Sequence, residues 1–180
     1  MTGRRIKITA PLSDEAIRRL VTGDAVSLSG VIYTARDAAH AKLMEMLSRG
    51  EEMPFSFEGA AVYYAGPSPS RPGCPIGSAG PTTSGRMDVY SPRLIRMGLK
   101  IMIGKGLRSE AVREAIVERG GLYLAAAGGA GALLARSVKS SEVIAFPDLG
   151  TEAVRRLEVE DFPAVVAIDS WGTDIYARIC

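Results

Sequence analysis

Hydrophobic and polar positions along this chain follow two periods, a period of two in some segments and a period near 3.6 in others. Short apolar or alternating runs predict strands at 6–10, 24–35, 57–66, 100–106 and 121–129. Amphipathic or helix-favouring runs predict helices at 12–20, 35–50, 83–98, 109–120 and 130–138. The last third has strand-like patterns at 141–149, 154–162 and 164–172. The middle of the chain alternates strand and helix, which predicts one mixed α/β domain with a β-rich end.

Residues at the ends of these segments predict where the helices begin and end. Ser13 is expected to cap the first helix, and Ser109 is expected to cap the fourth. Gly50 is expected to end the second helix. Segment 83–98 is divided near Pro92, which predicts one or two short helices there.

The composition is typical of a globular domain with a substantial core. The chain has 180 residues, of which 47% are hydrophobic and 23% are charged. Its 22 basic and 20 acidic residues give a net charge of +2, so the overall charge indicates neither a nucleic-acid nor a membrane partner. An aromatic content of 6% also argues against a domain that stacks on bases.

The termini and cysteines suggest a cytoplasmic, reduced setting. The first twenty residues contain basic side chains without a following apolar segment, so no secretory signal is expected. No apolar run approaches the ~20 residues that a membrane-spanning helix needs. Cys74 and Cys180 lie far apart, and with one histidine in the chain they predict neither a disulfide framework nor a metal site.

The segment GPTTSGRMD, residues 80–88, is the strongest candidate for chemistry. Gly80 and Pro81 predict a turn, and one of the three hydroxyl residues that follow is suited to cap a helix. A helix that begins here would place Thr82 and Arg86 on one face. A carboxylate could then contact backbone N–H groups and a guanidinium together. An ordinary capped helix with a solvated arginine explains the same residues, so both interpretations stay open.

Two further segments place basic residues next to predicted strand ends. In YTARDAAH, residues 33–40, the structural interpretation is favoured: Asp37 caps a helix, Arg36 is a surface charge and His40 is hydrogen-bonded. In GKG, residues 104–106, the glycines allow close approach of a ligand, and Lys105 at a strand end would face a crevice.

Several familiar site types are not supported by the sequence. The glycine-rich segment 125–135 could hold an anion, but close helix–sheet packing through small residues is the favoured interpretation. Neither GxGxxG nor GxxxxGK[ST] occurs, so a dinucleotide site and a P-loop are not predicted. No Ser–His–Asp or Cys–His set stands out. Cationic residues beside glycine turns, together with threonines, would suit a small di-acid.

The order and spacing of YTARDAAH, GPTTSGRMD and GKG resemble the β subunit of the iron–sulfur class I fumarate hydratase and tartrate dehydratase family. In single-chain members this part is the C-terminal domain. The resemblance covers essentially the whole chain, so residues 1–180 are expected to form one domain of this β type. It implies a single swivelling β/β/α domain with a mixed sheet, which agrees with the α/β pattern.

The resemblance also implies an activity and a partner. Members of this family add water reversibly to fumarate and so form L-malate. A 4Fe–4S cluster, bound by three cysteines of the α part, leaves one iron open as a Lewis acid. This chain has no such cysteine triplet, so the cluster is expected on a separate α subunit. A hetero-oligomer, such as a dimer of heterodimers, is expected.

Four residues are assigned roles through the resemblance. Thr82 matches the catalytic threonine, which exchanges a proton with a substrate carbon, and Arg86 matches a carboxylate-binding arginine. Arg36 and Lys105 match the other substrate contacts. An acidic residue of the α part is implied as the group that removes the proton of Thr82.

Two alternatives to fumarate hydration remain. L-Tartrate or another hydroxy-diacid differs from malate only by small groups, and residues that decide the choice could lie on the α chain. A non-catalytic dicarboxylate-binding domain is the alternative from another class, and it would not need a cluster-bearing partner.

Overall fold

A computed structural model describes residues 5–178, with the Arg178 side chain left out, so Cys180 lies outside the described residues. The strands are β1 (Ile6–Ala10), β2 (Ala25–Thr34), β3 (Ala61–Tyr63), β4 (Ile101–Gly104), β5 (Leu122–Ala125), β6 (Val138–Ala145) and β7 (Val154–Ile168). The α-helices are α1 (Asp14–Arg18), α2 (Asp37–Ser48), α3 (Ser91–Arg96), α4 (Glu110–Arg119) and α5 (Gly131–Ala135). Short 3₁₀ helices span Ser84–Met87, Pro147–Glu152 and Tyr176–Arg178. None of the helices in this part of the chain is long and apolar enough to cross a membrane.

The strands form one mixed sheet of seven strands. Strands β1 to β5 are parallel neighbours in chain order. Strand β7 is antiparallel to β5, β6 and also β2. The pairings therefore run in a closed ring from β2 through β3, β4, β5 and β7 back to β2. The prediction of a mixed α/β fold with a mixed sheet is confirmed.

Two hydrophobic clusters cover the two faces of the sheet, because successive side chains of a strand point to opposite faces. One cluster takes alternate residues of the strands, such as Leu28, Ile103 and Leu124. The other lies between the opposite face and helices α2, α3 and α4, and it includes Leu43 and Leu94. Burial of each such side chain contributes about 1.5–3 kcal/mol.

The pattern-based boundaries hold best in the first half. Ser13 caps α1 as predicted, since its Oγ accepts the N–H of Ala16 at 3.2 Å. Segment 24–35 is one strand with a register irregularity between Leu28 and Gly30. Gly30 has a φ of +103°, and a Cβ there would lie 2.4 Å from the carbonyl oxygen of Ala10. Only glycine allows this approach of β1 to β2.

The C-terminal boundaries differ from the prediction. The strand-like patterns at 154–162 and 164–172 belong to one strand, β7, which runs from Val154 to Ile168 and ends before residues 169–172. Asp161 has a φ of +53°, which bends the strand. Its N–H donates to Ser29 Oγ at 3.1 Å and its carboxylate accepts from Ser27 Oγ at 2.9 Å, so β2 holds the bend in place.

Candidate functional site

The four residues assigned through the resemblance lie at one edge of the sheet. Arg36 follows β2 closely, and Lys105 follows β4 directly. Thr82 is bonded to Tyr64, which follows β3. Because β2, β3 and β4 are adjacent parallel strands, their carboxyl ends meet at the same edge, which is where α/β proteins place ligands. The fold thus collects three segments that are far apart in sequence.

Backbone hydrogen bonds hold Thr82 between the ends of β3 and β4. Its N–H donates to the carbonyl oxygen of Tyr64 at 2.7 Å, and its carbonyl oxygen accepts the N–H of Lys105 at 3.3 Å. The N–H of Ser84 donates to the Lys105 carbonyl at 2.9 Å. Segment 82–84 therefore extends the edge of the sheet. The Thr82 side chain is half-buried, and the backbone atoms from which it projects are held in place.

The prediction that a hydroxyl of this segment caps a helix is wrong. The helix is a 3₁₀ helix of four residues, and Thr83 at its N-cap position makes no side-chain capping bond. The Ser84 hydroxyl is buried and accepts from Tyr123 Oη at 3.0 Å. The N–H groups of Thr82 and Ser84 are bonded to strand ends, so they are not available as a helix N-terminus for an anion.

Asp37 bridges the two arginines and does not cap α2, contrary to the prediction. Its Oδ2 accepts from Arg86 Nη2 at 2.9 Å and lies 3.4 Å from Arg36 Nε. The N-cap position belongs to Arg36, and the N–H of Ala38 donates to Glu152 Oε2 at 2.9 Å. Glu152 also lies 3.4 Å from Arg36 Nε. The structure therefore places Arg36 in an ion-pair network, not as an isolated surface charge.

The site carries an excess of positive charge. Arg36 and Arg86 pair with two carboxylates, those of Asp37 and Glu152, and Lys105 pairs with neither. Lys105 is exposed, and within residues 5–178 no carboxylate oxygen lies within 4 Å of its Nζ. A small anion with more than one carboxylate would meet one uncompensated lysine and the remaining N–H groups of two arginines.

Comparison with known proteins identifies the family. The family described as fumarase C-terminus matches residues 1–179. The chain belongs to the fumarase C-terminus family.

Relatives of two architectures match this fumarase C-terminus domain. The chain is 46% identical to the anaerobic class I fumarate hydratase of Escherichia coli over 86% of its own length and 28% of that protein. It is 41% identical to the aerobic class I enzyme of Salmonella typhimurium over 97% of its own length and 31% of that protein. The chain therefore spans about a third of the fumarate hydratases that it matches.

A relative of a different architecture has nearly the same length as this chain. The putative L(+)-tartrate dehydratase subunit beta of Methanocaldococcus jannaschii is 41% identical over 93% of the chain and 89% of the relative. In this relative the fumarase C-terminus domain forms almost a whole subunit.

His40 has a structural environment in this fumarase C-terminus domain. It is fully buried, and its Nδ1 lies 3.0 Å from the carbonyl oxygen of Arg36. The ring packs against Tyr64 and Tyr90, with centroids 5.5 Å and 5.6 Å away. Burial lowers the pKa of His40 to about 4, so the ring is neutral at pH 7. This geometry agrees with the hydrogen-bonded, structural interpretation.

The low pKa of His40 predicts a loss of stability in mild acid. Between pH 6.5 and 4 the unfolded chain binds a proton that the folded chain does not bind, so the free energy of unfolding falls as the pH falls. We expect wild type to lose about 2 kcal/mol between pH 7.5 and 5 relative to His40→Gln, which does not titrate. Urea unfolding at both pH values measures this difference. Equal pH dependence of the two proteins would contradict it.

Clefts elsewhere do not coincide with these residues. A cleft of about 540 Å³ is lined by Lys100 and Gly120, which precede β4 and β5, and by Trp171. It therefore lies at the amino ends of the parallel strands, opposite the candidate site. Because the cationic residues and Thr82 lie at the carboxyl edge, that edge is the better candidate for binding a small anion.

The described residues do not supply ligands for an iron–sulfur cluster. Within residues 5–178 no group of three or more His, Cys, Asp or Glu side chains is arranged to hold a metal. Cys74 is free and exposed. A cluster that acts at this site would need ligands from outside this part of the chain.

Sequence reasoning missed the acidic partners and a buried ion pair at this site. Asp37 and Glu152 hold Arg36, and Asp88 pairs with the buried Arg108 at 2.7 Å. Asp88 lies inside GPTTSGRMD and Arg108 follows GKG closely, which is the only signal that could have drawn attention to them. In the glycine-rich segment 125–135 the expected packing is found, since Ala130, Leu134 and Ala135 pack with the hydrophobic cluster on the sheet. Gly131 also packs closely against the loop at Ser78 and Gly80.

Proposed function

We propose that this chain is the β-type component of a hydro-lyase that reversibly hydrates fumarate to L-malate together with a cluster-bearing α subunit. The observation that carries this proposal is that the Thr82 backbone lies between the ends of two strands, at the sheet edge that also carries Arg36 and Lys105, with Arg86 four residues further along the same segment. Membership of the fumarase C-terminus family supports it. The fumarate hydratase relatives support the reaction class.

The three cations would bind and orient the dicarboxylate. Arg86 gives Nη2 to Asp37, and its other N–H groups remain for a substrate carboxylate. Arg36 is fixed by two carboxylates and presents a half-buried guanidinium, while Lys105 contributes a point charge. Binding of both carboxylates restrains the carbons between them. The reaction then proceeds as an effectively unimolecular step in a fixed orientation.

Thr82 would exchange a proton with the substrate carbon. A threonine hydroxyl is a weak base unless another group removes its proton. Within residues 5–178 no carboxylate lies in hydrogen-bonding contact with Thr82 Oγ1. We therefore assign that task to an acidic residue of the α subunit, which makes the active site composite.

The α subunit would also hold the 4Fe–4S cluster, since the described residues of this chain do not fit one. The roles assigned here to Arg36, Thr82, Arg86 and Lys105 concern binding, orientation and proton exchange only. The subunit architecture of the tartrate dehydratase relative supports a separate α chain and a hetero-oligomer.

The same relative favours L-tartrate dehydration as a second candidate function. It matches this chain over 89% of its own length, whereas the fumarate hydratases match as part of longer chains. Tartrate carries two carboxylates like malate, so the cationic residues suit both substrates. The choice depends on contacts to the second hydroxyl group.

Anaerobic turnover assays test these proposals. The chain is assayed alone and after assembly with an iron-loaded α subunit from the same source, with L-malate and L-tartrate as competing substrates. We expect turnover only in the assembled complex, with malate preferred. Preference for tartrate would show that the substrate is tartrate and not malate. Binding of a dicarboxylate without turnover in an assembled, iron-loaded complex would favour a non-catalytic binding domain.

A further inference from the structure

We infer that Arg108 is a positioning residue, which holds residues 84–91 so that Arg86 meets the substrate. The inference rests on the proposed function for its consequence in turnover, and on geometry for the positioning itself. Arg108 lies outside the three segments that carry the family resemblance. Its side chain is fully buried, whereas arginine side chains are almost always exposed unless they are paired.

Arg108 binds this segment at two points. Its Nε donates to Asp88 Oδ1 at 2.7 Å, and its Nη2 donates to Ser91 Oγ at 2.8 Å. Asp88 also accepts the N–H of Ser109 at 2.5 Å. Ser91 Oγ in turn donates to the carbonyl oxygen of Met87 at 2.9 Å. One guanidinium thereby fixes both ends of the turn that follows Arg86.

Two tyrosine rings lie against the guanidinium, and one of these tyrosines is also hydrogen-bonded to Ser84. The carbon centre of the guanidinium lies 5.3 Å from the ring centroid of Tyr64 and 4.9 Å from that of Tyr123. Tyr123 Oη donates to Ser84 Oγ at 3.0 Å. Ser84 packs so closely on β4 that a Cβ on Gly104 would lie 2.0 Å from its Oγ. The network therefore joins β3, β4 and β5 to the residues on either side of Gly85.

The segment has little regular structure of its own to fix its position. Between β3 and α3, the 3₁₀ helix Ser84–Met87 is the only regular element in the described chain. A four-residue 3₁₀ helix has poor hydrogen-bond geometry and does not form a rigid support. Met87 is buried and contributes packing, but packing alone does not set the direction of Arg86. Directional hydrogen bonds from the buried, planar guanidinium of Arg108 do set that direction, because they fix the backbone on which Arg86 stands.

The test compares two variants of this network with a control variant, in which a buried aspartate elsewhere in the domain is substituted. Arg108→Met combined with Asp88→Asn removes both charges and keeps an acceptor for the N–H of Ser109, so a folded protein is expected. Arg108→Lys keeps the positive charge but loses the planar guanidinium, which donates to Asp88 and Ser91 at the same time. The control is Asp169→Asn, since Asp169 is equally buried and its carboxylate accepts N–H groups of Thr22, Trp171 and Thr173.

We expect the double variant to lower kcat/KM of the assembled complex by about 100-fold, the scale of a 1 Å misplacement. Arg108→Lys is expected to lose less, and Asp169→Asn is expected to keep wild-type kcat/KM while it loses thermal stability. Amide hydrogen exchange in the complex should accelerate at Ser84, Asp88 and Tyr90 in the Arg108 variants. In the control it should accelerate at Thr22 and Thr173 instead.

Wild-type kcat/KM and wild-type exchange at residues 84–90 in a folded double variant would overturn the inference. If the double variant does not fold, unchanged exchange and kcat/KM in Arg108→Lys would overturn it in the same way. Failure of the wild-type complex to turn over any diacid would reject the proposed function. The exchange comparison would still decide whether Arg108 positions the segment.

Discussion

Thr82→Ala is expected to lower kcat of the assembled complex by about 10²–10⁴-fold, the usual contribution of a positioned proton-transfer group. The backbone of residue 82 is held by Tyr64 and Lys105 and not by its own side chain, so removal of the hydroxyl leaves the loop in place. Binding of the dicarboxylate depends on the neighbouring cations. KM is therefore expected to change much less than kcat.

Two neighbouring variants serve as controls for Thr82→Ala. Thr82→Ser keeps a hydroxyl at the same position and is expected to retain most of the turnover. Thr83→Ala removes an exposed hydroxyl that makes no capping bond, so it is expected to behave as wild type. Stopped assays with malate under anaerobic conditions give kcat and KM for each variant. Near-normal kcat in Thr82→Ala would remove this residue from the chemistry.

Arg86→Lys is expected to lower kcat/KM by about ten- to a hundredfold, which corresponds to the loss of a hydrogen bond to a charged group. The planar guanidinium donates to Asp37 through Nη2 and keeps other N–H groups for the substrate. A lysine ammonium has neither the reach nor the fork to serve Asp37 and a carboxylate together. The loss should appear mainly in KM, because the variant removes a contact that substrate and transition state share.

Arg93→Lys is the matched control, since Arg93 is an exposed arginine at the nearby helix α3. It is expected to leave kcat/KM unchanged. Titration of inactive Thr82→Ala complex with malate, with and without Arg86→Lys, separates binding from turnover. Equal affinity in the two proteins, or wild-type kcat/KM in Arg86→Lys, would reduce Arg86 to a partner of Asp37.

The sheet and the edge on which the site lies follow from local patterns in the sequence. Arg36 and Lys105 could be placed because each follows a run that was recognisable as a strand, and parallel strands bring such positions together. Thr82 could be assigned a role only through the family motif. Its position depends on backbone bonds to Tyr64 and Lys105, and no periodicity encodes these bonds.

The parts that sequence reasoning got wrong are those in which a distant residue outweighs a local preference. Asp37 is a good helix cap by residue type, yet Glu152 bonds the first turn of α2 and leaves Asp37 to Arg86. The hydroxyl residues of segment 82–84 do not cap a helix, because Thr82 and Ser84 are bonded to strand ends through their N–H groups and the Ser84 hydroxyl is bonded to Tyr123. Arg108 is buried although arginine is usually exposed, since Asp88 and two tyrosines compensate its charge.

The closed ring of strands has a consequence for the order in which this protein can fold. Strand β7 is the last strand of the described chain, and it pairs with β2 near the start, where Val165 lies opposite Ala25. During synthesis β2 and β5 keep unpaired edges until β7 has left the ribosome, and such edges favour aggregation. A chain cut before residue 154 would retain Arg36, Thr82, Arg86 and Lys105 but would lack the strand that closes the ring. Slow, late assembly is therefore built into the topology, because contacts between distant residues form only after most of the chain is present.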